Sequence, residues 1–260
     1  MEQDYAVRLY IWEDEIIIQE EDYDNITLNV SHCTFAGSGK GIAVGSSFYH
    51  NEYDFHKMMI DNSILQDIEY VKGYSKYNLV SNGVNCKYQT INVNLQNSIT
   101  ADPQFVNLSA GDIRLSWDSP CIDSGSGTDP DGTAGDLGAI YCPLETISGT
   151  VSGEKYGRFV TSGDLTVSSG TTLTLVPGSH ITLGSGHDIR VYGTLNLDGT
   201  ATAPIVFDKA SGITRWGSLY FYSGSSGMID HCEINDAYRI YLQSNPSVSI
   251  TNNDLNSVRY

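Results

Sequence analysis

Basic residues are scarce. Lys and Arg number 14 against 31 Asp and Glu, a formal net charge of −17 over 260 residues. Such a surface repels phosphate backbones and anionic bilayers, which argues against nucleic acid as a partner. Long apolar runs are also missing: no stretch approaches the roughly 20 residues of a membrane-spanning helix, so no membrane insertion of that kind is expected. The opening "MEQDYAVRLY" has neither the basic start nor the apolar stretch of a secretory signal. No segment carries helical periodicity. The five cysteines, Cys33, Cys86, Cys121, Cys142 and Cys232, form no CxxC pair and lack the regular spacing of a zinc site. They read as small buried residues, with a Cys121–Cys142 pairing left open by spacing alone.

What is present is strand-forming. Apolar content of 40% is enough for a core. Short segments such as "TLTLV", "HITL", "IRVYGTLNL", "PIVFD", "SLYFY" and "RIYLQ" alternate or run apolar for a few residues between Gly, Ser, Asn, Asp and Pro. A repeat recurs among them. "NVSHCTF" (29–35), "MIDNSIL" (59–65), "LVSNGVN" (79–85), "MIDHCEI" (228–234) and "SITNNDL" (249–255) share an apolar residue, a small or polar cluster, then usually another apolar residue. Ile60 to Val80 is a step of 20 residues, Ile229 to Ile250 a step of 21, and Val30 to Ile60 a step of 30. Many short strands at such a period predict an all-β, right-handed parallel β-helix, a solenoid in two segments. Stacked coils lie about 4.8 Å apart, so Asn62 over Asn82 either forms an amide ladder or simply tolerates a left-handed turn. Expected core residues are Val30, Ile60, Leu175, Leu183, Leu195, Phe207, Phe221, Ile229 and Ile250.

Residues 100–150 interrupt the repeats. Over 101–141, "ADPQFVN…GDIRLSWDSPCIDSG…DPDGTAGDLGAIY" resembles the closing module of bacterial right-handed parallel β-helix repeat proteins, a pectate-lyase-like superfamily of secreted and surface proteins. The matching positions are Asp102, Pro103, Phe105, Leu115, Ser119, Pro120, Cys121, Ile122, Asp123, Gly125, Asp136, Gly138 and Ala139. The stretch from Gly163 to Phe221 is similar to the opening coils of another such helix. The resemblance implies C-terminal coils of a first β-helix over 1–99, a closing module over 100–146, and N-terminal coils of a second β-helix over 147–260. It also implies a secreted or cell-surface setting and, with "SITNNDLNSVRY" unclosed, further coils of a larger parent protein.

Candidate chemistry is sparse. In "DPDGTAGD", Asp129, Asp131 and Asp136 either gather Ca²⁺ or are ordinary turn residues, with Asp123 and Asp136 capping backbone amides where the first solenoid closes. His50, Glu52, Asp54 and His56 in "HNEYDFH" share one strand face, but span about 20 Å if extended, too far to converge on zinc. For the lyases and hydrolases of the resembling superfamily, the nearest sets are His187, Asp188 and Arg190, and Asp230, His231 and Glu233. Strict alternation places Asp230 and Cys232 opposite His231 and Glu233. Aromatics are more suggestive: Tyr192, Tyr220, Tyr222, Tyr238 and Tyr241 lie in or beside strands, where outward rings make a platform for sugars. Trp216, Phe207 and Phe221 read as structural. The leading expectation is a structural or adhesive module recognising a polysaccharide or other glycan on a lateral face. The rival is a polysaccharide lyase or glycoside hydrolase on the same scaffold, and the enzyme question leans to no.

Overall fold

The computed structural model describes residues 7–12, 15–20, 27–36, 41–46, 57–66, 70–73, 80–84, 87–88, 101–244 and 246–258. Among them there is no α-helix; strands and one 3-10 turn at Leu108–Ala110 supply the regular structure. The chain divides into two compact units, residues 1–104 with 119–141, and 105–118 with 142–260. The expected closing segment is therefore shared between them.

In the second unit the strands recur in threes. Thr172–Leu175, Thr194–Asp198, Ser226–Asp230 and Ser247–Thr251 stack as one parallel row. His180–Leu183, Ile205–Lys209, Cys232–Asn235 and Asp254–Asn256 form the second row. Ile189–Val191, Ser218–Phe221 and Arg239–Leu242 form the third. The long strand Arg158–Val167 begins both the second and third rows.

Pairing in register turns the alternating pattern into columns of like side chains. Phe159, Ile181, Phe207, Ile234 and Leu255 stack in the second row, and Leu175, Leu197, Ile229 and Ile250 in the first. Leu175, Leu183, Leu195, Phe207, Phe221 and Ile229 are buried as expected. Each such burial contributes about 1.5–3 kcal/mol. Ile250 is the correction, at 40% exposed. Its strand ends the row and has a neighbour on one side only. The side chains of Val30 and Ile60 lie outside the described residues, although their backbones pair.

The first unit repeats the three-strand order. Thr27–Ser31, Lys57–Asp61 and Val80–Val84 make one row, and Thr34–Ala36, Ile64–Gln66 and Lys87–Tyr88 another. Glu15–Glu20, Gly41–Ser46 and Tyr70–Gly73 make the third, with Val7–Trp12 added antiparallel. The steps of 30 and 21 residues hold: Val30 pairs with Ile60, and Ile229 with Ile250. The step of 20 does not. Val80 pairs with Lys57, and Ile60 with Gly83, so the register sets Asn82 opposite Met59 and not opposite Asn62.

The repeated polar clusters are corners. His32, Asn62, His231 and Asn252 follow equivalent strands and all adopt left-handed backbone, with φ of 50°, 46°, 46° and 53°. Asn accepts this conformation more readily than most residues. The next residue then ties coil to coil. Ser63 Oγ accepts from the Cys33 amide at 3.1 Å, and Asn253 Oδ1 accepts from the Cys232 amide at 2.7 Å. These bonds satisfy amides that the bend removes from the ladder.

Candidate functional site

The acidic loop is organised around its own backbone. Asp136 accepts from the Asp123 amide at 2.7 Å, Asp129 from the Asp136 amide at 3.0 Å, and Asp131 from the amide and hydroxyl of Thr133. Among the described residues, no group of three or more His, Cys, Asp or Glu side chains is arranged to hold a metal ion. Asp129, Asp131 and Asp136, the residues of the calcium alternative, each accept hydrogen bonds from the backbone of the turn, the capping that the sequence also allowed. Asn62 anchors the loop, accepting from the Ser126 amide at 2.7 Å and donating to its hydroxyl at 2.9 Å. Gly138, at φ 105°, donates to the Asn62 carbonyl, and a Cβ there would strike Ile64 at 2.8 Å. That accounts for glycine at this position. Cys121, Cys142 and Cys232 are buried, and no disulfide joins Cys121 to Cys142.

His50, Glu52, Asp54 and His56 lie outside the described residues. At the other acidic set, alternation fails. The left-handed His231 interrupts the strand, so Cys232 points into the core while Asp230 stays outside. Asp230 accepts from Thr251 at 2.6 Å and Asn252 at 2.9 Å, and His231 Nδ1 lies 3.0 Å from its other oxygen. This is a corner brace with every carboxylate oxygen engaged. Burial pushes the Cys232 thiol up to about 12, which leaves it inert.

The third row of the second unit presents the expected tyrosines on one outward face. Its register aligns Thr166, Arg190, Tyr220 and Tyr241 across four successive strands. Ser218 and Arg239 align one position earlier on the same face. Tyr192 and Tyr222 follow their strands and stack, with ring centroids 4.3 Å apart and planes at 11°. Tyr220 lies 6.0 Å from Tyr222 and 6.0 Å from Tyr241, the latter edge-on. All five expected residues thus belong to one surface, with Tyr192 40%, Tyr238 46% and Tyr241 44% exposed.

Two arginines behave differently on this face. Arg190 is clamped, donating to Asp164 and, at 2.7 Å, to Asp188. Asp188 also accepts from the Ser218 amide and Asp164 from the Asp188 amide, each at 2.8 Å. The Asp188 amide, with Arg190, holds the Asp164 carboxyl below its usual range. Arg239 has no carboxylate partner among the described residues. Its guanidinium lies over Tyr241 at 5.0 Å, Tyr220 at 5.4 Å and Tyr238 at 5.7 Å, and donates to the Tyr220 hydroxyl at 3.1 Å. Hydrogen bonds with Ser218 and Arg239 lower the Tyr220 phenol, whereas desolvation and Tyr192 raise Tyr222. Sequence reasoning missed Arg239 and Asp164. Arg239 shares the parity of Tyr241 in "RIYLQ", a signal in plain view, whereas Asp164 is found only once strand register is known.

A second polar line runs along the second row. His180 Nε2 lies 3.0 Å from Asp208, Asn235 donates to Asp208 at 2.9 Å, and Asn256 donates to Asn235 at 2.8 Å. The bond between Asn256 and Asn235 is a side-chain amide pair of the kind that was one of two readings for Asn62. Trp117 stacks on His180 at 4.2 Å, and burial lowers the His180 pKa from 6.5. The unfolded chain then binds a proton at a higher pH than the folded one. Stability is full above about pH 6.5 and falls as pH drops through 6.5 toward the lower folded value. Urea titrations at about pH 7.5 and about pH 5.5 should show this loss, and His180→Gln should reduce it. An unchanged pH slope in the variant would count against it.

Compared with family models, with curated proteins and with solved structures, the chain has no match.

Proposed function

We propose that the chain is a module of right-handed parallel β-helix, related to the bacterial secreted and surface proteins its closing motif resembles. Its role is structural or adhesive, with neutral glycans recognised on the lateral tyrosine face of the second unit. The parallel rows and in-register columns support the coil. The observation that carries the binding reading is the alignment of Tyr220 and Tyr241 in one outward column, with Tyr192, Tyr222 and Tyr238 around it and Arg239 held among the rings.

The chemistry favours holding over cutting. Exposed rings offer apolar faces to the C–H side of a sugar, and Arg239 and the phenols offer hydrogen bonds to its hydroxyls. Catalysis needs an acid or base positioned at the reacting bond and a group to stabilise developing charge. Arg190, the nearest candidate base, is fixed as a cation between two carboxylates. The charge of −17 repels polyanions and leaves neutral chains as the ligands of choice.

Affinity electrophoresis through gels containing xylan, mannan or soluble cellulose derivatives tests this reading. Retardation is expected with at least one neutral polymer, without new reducing ends or unsaturated products. Tyr241→Ala should weaken it about three- to tenfold, the equivalent of one aromatic contact. No retardation by any of them, or retardation unaffected by Tyr241→Ala combined with Tyr238→Ala, would refute the binding face. Turnover abolished by Arg190→Ala would favour the enzyme.

A further inference from the structure

The Tyr192–Tyr222 pair has a geometry that sugar binding does not require. Two rings used as a platform would lie side by side, but these stack face to face at 4.3 Å and 11°. Tyr192 and Tyr222 each follow directly on a paired residue, Val191 and Phe221, so they leave neighbouring strands at the same register position. Side chains leaving the same register position of adjacent parallel strands point the same way, so stacking the rings nearly parallel brings their Cε edges together. Both backbones are fixed: the Tyr192 amide donates to Val167 at 2.8 Å and the Tyr222 amide to Val191 at 3.0 Å. Tyr192 is 40% exposed, so a small oxidant reaches the pair.

We propose that Tyr192 and Tyr222 are a site of oxidative cross-linking, joined as dityrosine to staple consecutive coils. The oxidant is a peroxide acting through a one-electron catalyst such as a haem peroxidase. Each phenol loses one electron and its proton, giving two tyrosyl radicals. The radicals join through a Cε–Cε bond, and the hydrogen on each joined carbon moves to the neighbouring oxygen, restoring both aromatic rings. Two electrons and two protons leave, and they reduce one hydrogen peroxide to two waters.

The structure makes the reaction selective. Tyr220 lies 6.0 Å from both Tyr222 and Tyr241, at 34° and 72°, which separates or turns the reacting carbons. Pre-alignment makes the Tyr192–Tyr222 coupling effectively unimolecular, so it outruns collisions between chains. The product closes a loop from residue 192 to residue 222, which restricts the unfolded chain as a disulfide does.

The test is treatment of the folded chain with horseradish peroxidase and hydrogen peroxide, followed by fluorescence, gel electrophoresis and peptide mapping. Expected is blue dityrosine emission from monomeric protein, with yield independent of protein concentration. One linked peptide pair should contain Tyr192 and Tyr222 and weigh two hydrogens less than its parts. Tyr222→Phe, which keeps the ring, should remove that pair, and unfolding in urea before oxidation should erase the selectivity. The cross-linked monomer should unfold at higher temperature than the untreated chain. Absence of dityrosine, dityrosine confined to dimers, linkage through another pair, or an unchanged yield in Tyr222→Phe would each overturn the proposal.

Discussion

Phe207→Ala is expected to destabilise the second unit by about 3–5 kcal/mol, the loss of a large buried ring plus the cavity it leaves. Phe207 is 1% exposed and stands in the middle of a column, paired with Ile181 on one side and Ile234 on the other. Because stacked coils share their core, the void opens at two coil interfaces. Relaxation from one side would pull the backbone ladder out of register. Phe207→Leu, which keeps most of the volume, should cost less than about 1.5 kcal/mol. Urea denaturation followed by circular dichroism separates the two. A loss below about 1 kcal/mol for the alanine variant would mean that the column does not carry the core.

Gly227→Ala is expected to be comparably damaging, about 3 kcal/mol or more, although it adds only one methyl group. Gly227 lies opposite Leu195 in the first row, and a Cβ on it would sit 2.1 Å from the Leu195 carbonyl oxygen. That oxygen is backbone, so nothing flexible can give way. Opening the gap would separate Thr194–Asp198 from Ser226–Asp230 and break the column through Leu197 and Ile229. Gly212→Ala makes a useful contrast: its φ is 82° and a Cβ there meets nothing within 4 Å. Only backbone strain applies at Gly212, about 1–2 kcal/mol. Equal losses in the two variants would refute a steric role for Gly227.

The core of the second unit was legible in the sequence because a strand period of two is self-evident in "TLTL", "IRV" and "SLYF". Parallel stacking keeps that parity from coil to coil, which is why Leu175, Leu195, Phe207 and Phe221 are buried. Parity also put Tyr220 and Tyr241 on the outer face. Two features broke it. A left-handed residue at a corner resets which side faces inward, and so Cys232 turns to the core while Asp230 remains outside. The length of each coil is also set by its loops: the register runs from Thr172 to Thr194, then to Ser226, then to Ser247. Motif spacing therefore misaligned Ile60 with Val80.

The site was half legible. Tyrosine identity and strand parity marked the surface, but which rings stack depends on register across coils, and that depends on the same variable loops. The roles of Asp129, Asp131 and Asp136 were not legible for another reason. A carboxylate capping a turn and one ligating a cation occupy the same kind of sequence, and which amides are capped is known only once the fold of the turn is known.

The central claim is that the outward tyrosine face of the third row is the surface that meets a glycan. Its most direct test follows ring Cε–Hε signals of selectively labelled tyrosine during titration with a neutral oligosaccharide that retards the protein in gels, assigned by Tyr→Phe substitution. The account predicts saturable shifts for Tyr192, Tyr220, Tyr222, Tyr238 and Tyr241 at one common Kd, with the half-buried Tyr156, which donates to the Leu115 carbonyl, unmoved. Saturable binding that leaves those five signals in place and shifts others would contradict it.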